Sequence, residues 1–467
     1  MLFNSFIFIF SFLPITFLLY FYLNKLSLHR ASKLFLVFAS LFFYAWWNII
    51  YLPLILASLI FNYIVGKRLS QPKKMHADKG ILVFGVLANL LLLGYFKYSD
   101  FFIENLNTLL QSHIPLLHLA LPLAISFFTF QQIAYLVDSY QKQTKSYDFL
   151  TYALFVTFFP QLIAGPIVHH KEMMPQFAKK ENLTINPYHI AMGSFIFTIG
   201  LFKKVVIADT FAIWATKGFD AATSLNMFDA WVTSLSYTFQ LYFDFSGYTD
   251  MAIGVALLFN ITLPINFNSP YKAISIQDFW RRWHITLSRF LKDYIYIPLG
   301  GNRKGSARTY INLFITFLLG GIWHGAGWTF ILWGVMHGTA LIVHRLWQHL
   351  RIKMPILLAW FLTFNFINIT WVFFRANTFH DATKVLSGMF SWGSLNSNLQ
   401  MDIASGYIMI AFFIVLGCYN VSQLVQKKRL QKYTFIISVV FFVFSLLQMF
   451  NITISSDKVS EFLYFNF

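Results

Sequence analysis

Cysteine is nearly absent from this chain of 467 residues, which carries one, Cys418. A lone thiol excludes a disulfide framework, a cysteine metal cluster and a CxxC redox pair, and its apolar neighbourhood predicts a buried structural side chain. Charge is scarce as well. Only 11% of residues are Asp, Glu, Lys or Arg, against about a quarter in a soluble domain. Acidic residues are the rarer sign, 18 against 35 basic, for a net charge of +17. G-x-S-x-G, H-E-x-x-H, a Walker loop and a D-x-D sugar-nucleotide signature are all missing, so nothing points to the usual hydrolase, zinc-protease, ATPase or glycosyltransferase chemistry.

What fills the chain is apolar: 57% hydrophobic and 20% aromatic residues, with mean hydropathy +0.60. Runs of about 20 residues, enough to cross a hydrocarbon core of about 30 Å as a helix, recur along the whole length. The expected fold class is therefore an all-α polytopic membrane protein. It is read as a single integral membrane domain over 1–467, with about 11–13 membrane helices. The spans 116–138, 148–168, 189–216 and 229–259 are among them, the last long enough to tilt, kink or fall into two pieces. The first, within 3–23, lacks a basic n-region and a cleavage site, and reads as a retained span.

The basic residues sit in short loops and mark topology, not nucleic-acid binding. Lys25, Arg30 and Lys33, then Lys67, Arg68, Lys73, Lys74 and Lys79, then Lys142 and Lys145, then Arg345, Arg351 and Lys353, then Lys427, Lys428, Arg429 and Lys432 are expected to be cytoplasmic. Asp100, Glu104, Asp457 and Glu461 fall outside. This predicts N-out and C-out, an even number of crossings and some re-entrant or interfacial segments.

Within this apolar background a few polar groups stand out. Leu318 to Trp333, LLGGIWHGAGWTFILW, holds His324 between Gly320, Gly321, Gly325 and Gly327. An imidazole in a membrane segment is costly and is read as a functional candidate, while glycines let helices or a substrate approach the backbone; a hydrogen-bonded packing histidine is the plain alternative. His337, in LWGVMHG, has the same character in a supporting place. LYFDFSGYTD sets Asp244, Ser246, Tyr248 and Asp250 in an apolar span, with Asp244 and Tyr248 four apart on one helical face. Either they form a polar cavity wall, or the carboxylates pair with Arg281 or Arg282. The stretch around Asp278, Arg281, Arg282, His284, Arg289, Lys292 and Asp293 reads as a helix touching apolar surface on more than one side, with Asp278 and Arg282 placed to pair at i,i+4. FPQLIAGPI (Phe159 to Ile167) marks either a kinked tunnel wall or a plain helix end, and His169 and His170 sit by a loop without special expectation. A buried histidine among hydroxyl, carboxylate and guanidinium groups suits acyl transfer to an alcohol, and equally a transporter with a proton-relaying histidine or a flippase.

DFWRRWHITLSRFLKDYIYIPLGGNRKG (Asp278 to Gly305), LLGGIWHGAGWTFILWGVMHG (Leu318 to Gly338), FDFSGYTDMAIG (Phe243 to Gly254) and FPQLIAGPI resemble the membrane-bound O-acyltransferase (MBOAT) family, in its bacterial branch that O-acetylates alginate, peptidoglycan and other envelope glycans. The resemblance implies a ring of tilted helices around a central funnel and tunnel, with a signature core of about 120–380. It also implies a catalytic His324 from the WHG motif, and His284 lining the same chamber. Asp244, Ser246, Tyr248, Arg281, Arg282, Trp323 and His337 are the substrate-binding candidates around them. Acetyl-CoA as cytoplasmic donor, no metal, and a periplasmic SGNH-type transferase as partner in the bacterial inner membrane complete the expectation. The same fold with another donor, as in D-alanylation of teichoic acid, stays open beside it.

Overall fold

The structure, a computed structural model, describes residues 1–71, 75–144, 147–391, 402–426, 434–456 and 460–463. Lys73, Lys74, Lys145, Lys427, Lys428, Arg429, Lys432 and Asp457 of the charge argument lie outside the described residues. Every regular element among the described residues is a helix. Six of those helices are long and apolar enough to cross a membrane, Pro187–Ala221 and Ile356–Arg375 among them. Helices satisfy their own backbone in hydrocarbon, which is why an apolar chain of this kind takes no other form.

The chain divides into two compact units. The first takes in 1–201, 248–264 and 434–466. In it, Asn62 of the helix Leu52–Ser70 and Asn89 of the helix Met75–Leu110 exchange amide hydrogen bonds of 3.1 and 2.7 Å, so two buried polar groups serve as each other's partners. Gly193 and Gly254 meet backbone to backbone: a Cβ on either would lie within 2.7 Å of the other's carbonyl oxygen. The expected span 116–138 is shorter than predicted, starting at Ile125 after Ala124 in the left-handed region. The span 148–168 is likewise broken. Phe149–Thr157 ends at Phe158, and Pro160 lies in the first turn of the short helix Phe159–Leu162, because a proline has no N–H to continue the preceding helix and is tolerated only where a new one starts. His170 is buried, with Nε2 2.8 Å from Asp138.

The second unit comprises 202–247 and the described residues of 265–433. Its centre is a hairpin of two helices, Gly305–His324 and Trp328–Leu350, joined by Gly325 to Gly327 in extended conformation. Glycine permits the close approach here. A Cβ on Gly321 would lie 2.5 Å from the Phe330 carbonyl, and one on Gly334 2.6 Å from that of Phe317.

The polar stretch before the hairpin is not the one helix expected from sequence. Ile276–Trp280 stops after five residues, and Ile285–Leu291 starts anew behind His284, whose φ of +42° turns the chain. Ser275 caps the first piece by accepting from the Asp278 amide at 3.1 Å, and Asp278 pairs with Arg282 at 2.8 Å as the spacing predicts. Met227–Leu258, by contrast, is one unbroken helix of 32 residues. Cys418 is exposed just past the helix Asp402–Gly417, correcting the expectation of a buried thiol: the helix ends one residue earlier, and Leu416 to Tyr419 are exposed with it.

Candidate functional site

His324 is the last residue of its helix, and the turn of the hairpin holds it against the next one. Its ring lies between two indoles, 4.9 Å from Trp323 and 5.0 Å from Trp333 by centroid, with Phe374 at 5.1 Å. Beyond Trp323 comes His284 at 6.5 Å, and beyond Trp333 comes His337 at 4.5 Å. The second unit thus sets three imidazoles in a row with an indole between each pair. His324 is 3% exposed, and His284 and His337 are fully buried.

The two outer imidazoles are held in opposite tautomers. At His284 the reference point is the backbone amide of Thr286, a donor that gives to the side-chain oxygen of Asn266 at 3.2 Å and so fixes which way that amide faces. The same oxygen accepts from the Thr286 hydroxyl at 2.9 Å and from His284 Nδ1 at 3.1 Å. His284 therefore carries its proton on Nδ1, and Nε2 bears the lone pair. At His337 the indole of Trp280 donates to Nδ1 at 3.2 Å. An indole N–H only donates, so Nδ1 is the bare nitrogen and Nε2 carries the hydrogen.

Next to His337 a cavity of about 1080 Å³ opens between the helices Trp328–Leu350 and Ile356–Arg375. Arg281, Arg282, Asp278 and His344 supply its polar wall, and Phe366 is part of its apolar wall. The Phe366 ring is 5.5 Å from His337. His324 is not among the lining residues; Phe366, His337 and Trp333 stand between it and the space.

Of the remaining candidates, Trp323 touches His324 directly, and Asp244 and Ser246 are buried in the same unit. Asp244 is buried against a lysine, where the sequence had left open a pairing with Arg281 or Arg282. Lys204 reaches it at 2.6 Å and Asp209 at 2.8 Å, because the π turn Lys203–Ala208 leaves Lys204 buried, while Arg282 is already engaged by Asp278. Tyr248, four residues on, belongs to the first unit, where it stacks on Phe3 and Phe462 at 4.9 and 4.5 Å. Sequence reasoning missed Lys204, Asn266 and Trp280. For Lys204 the signal was there, two lysines inside the apolar run 189–216 that need counter-ions.

The sequence has relatives among known proteins. The sequence model of the membrane-bound O-acyltransferase family matches residues 45–380. A peptidoglycan O-acetyltransferase of Helicobacter pylori is 58% identical over 419 residues, 83% of this chain and 80% of its own. A probable alginate O-acetylase AlgI of Pseudomonas aeruginosa is 42% identical over 437 residues, 90% of this chain and 82% of its own. A teichoic acid D-alanyltransferase of Bacillus subtilis is 27% identical over 288 residues, 58% of this chain and 72% of its own.

Proposed function

The chain belongs to the membrane-bound O-acyltransferase family, and on that premise we propose that this acyltransferase passes acetyl groups from cytoplasmic acetyl-CoA toward hydroxyls of peptidoglycan. Family membership sets the transporter reading aside. The relative at 58% identity favours peptidoglycan over alginate, and D-alanyl transfer ranks behind both at 27%. The observation that carries the proposal is His324 at the hairpin tip with His284 on one side and His337 on the other.

In this reading His324 removes the proton from an attacking hydroxyl, and His284, with its lone pair on Nε2, orients that hydroxyl. The CoA nucleotide stays out of hydrocarbon, where its phosphates would be costly, and lies in the cavity by Arg281 and Arg282, whose guanidinium groups suit phosphate. In this reading the cavity faces the cytoplasm from a bacterial inner membrane, with N-out and C-out orientation, and the distribution of basic residues in the sequence supports that. The first acceptor is a hydroxyl on a periplasmic SGNH-type partner, which hands acetyl to the glycan. Asp244, held by Lys204, and Ser246 shape the wall of the chamber, and no metal takes part.

The test is His324→Ala in the native host. Membrane levels of the protein stay normal, and the acetate released from peptidoglycan by mild base disappears. Unchanged acetate in that strain rejects the assignment.

A further inference from the structure

We infer that His337 is a second catalytic residue, donating from Nε2–H to the carbonyl oxygen of the arriving thioester, and that Trp280 is the positioning residue that keeps the proton on that nitrogen. This rests on the acyl-transfer reading of His324 and adds the group that receives the charge the attack creates.

Three observations carry it. First, the proton position is fixed by a donor that cannot act as acceptor: Trp280 Nε1 donates to His337 Nδ1 at 3.2 Å. Second, His337 Nε2 is buried without a hydrogen-bond partner in the described protein, and so are the indole nitrogens of Trp333 and Trp371. The three rings form one cluster, with centroids 4.5 Å apart for Trp333 and His337, 5.9 Å for Trp333 and Trp371, and 6.4 Å for His337 and Trp371. An unmet buried donor costs about 1–3 kcal/mol, so three in one place point to a ligand. All three are N–H donors. They suit a carbonyl oxygen, which only accepts and gains charge in the transition state. Third, the cavity wall at Phe366 touches His337, and His337 touches Trp333, which touches His324. A thioester arm moving inward from the cavity meets Nε2–H before it reaches His324.

The step balances without any added reactant. The acceptor oxygen bonds to the carbonyl carbon as His324 takes its proton, and the carbonyl π pair moves onto oxygen, where His337 holds it by a hydrogen bond. When that pair returns, the carbon–sulfur bond breaks and the CoA thiolate leaves, taking the proton from His324. His337 ends as it began.

The experiment measures CoA released from acetyl-CoA by membrane vesicles of the native host, which hold the full chain together with its periplasmic acceptor, with His324→Ala as background. His337→Phe is expected to lower kcat by about 10²-fold with KM little changed. His337→Gln, whose amide N–H sits where Nε2–H was, recovers most of that loss. Trp280→Phe frees the proton to move to Nδ1 and lowers kcat with KM little changed, and it costs nothing further when added to His337→Phe. Full kcat in His337→Phe, a Gln variant no better than Phe, or a Trp280→Phe loss that adds in full to that of His337→Phe each overturns the inference. If the unaltered chain releases no more CoA than His324→Ala, the acyl-transfer reading itself fails, a different outcome from an active chain indifferent to residue 337.

Discussion

At Asn266 three donors converge on one oxygen, two from Thr286 and one from His284, so this side chain sets both the local fold and the lone pair that His284 offers. Asn266→Ala leaves buried donors unmet at about 1–3 kcal/mol each. It is expected to lower the thermal midpoint in detergent and to cut O-acetylation, while Asn266→Asp keeps the acceptor and most of the stability. Lys204 is the other decisive position. Lys204→Met removes the cation between the buried Asp244 and the half-buried Asp209 and should cost about 3–5 kcal/mol, and Asp244→Asn added to it should recover part of the midpoint. If the double variant is no more stable than the single one, the ion cluster is not what Lys204 supports. The imidazoles at 284, 324 and 337 were legible in the sequence because polar groups in apolar runs announce themselves. Asn266 and Trp280 were not, since an asparagine in a loop and an indole among 13 look ordinary until the fold brings them onto a histidine.

Glycines decide matters among the helices. Gly334→Leu would drive a side chain into the Phe317 carbonyl, 2.6 Å from where its first carbon must sit, and interior backbone cannot step aside. The hairpin is expected to open, with loss of activity and aggregation on size-exclusion chromatography. Gly327→Ala, whose added carbon meets nothing nearer than 3.5 Å, should be tolerated by both measures. The sequence showed glycines around His324 but not which of them touch a helix, because helical phase across a loop depends on how the loop folds. The elbow at His284 was hidden for a related reason. No proline or glycine marks the break between Trp280 and Ile285, and a histidine takes the left-handed turn that those residues usually announce.

For the whole molecule, the proposed orientation has a native reporter. The lone thiol, Cys418, is exposed beside the segment that leads into the basic loop at 427–432. A membrane-impermeant maleimide should therefore label it only after cells are permeabilised, and labelling in intact cells reverses the topology. The all-helical, multi-pass character followed from composition, because apolar runs of that length have few other options. The division into two compact units did not, since the helix Met227–Leu258 passes through both without any sequence mark at Tyr248. The alternation of imidazole and indole has a consequence for proton movement. Imidazoles in contact pass protons hand to hand, but an indole has a hydrogen to give and no lone pair with which to receive one. The row from His284 to His337 is thus interrupted twice, so these rings by themselves make no continuous proton wire.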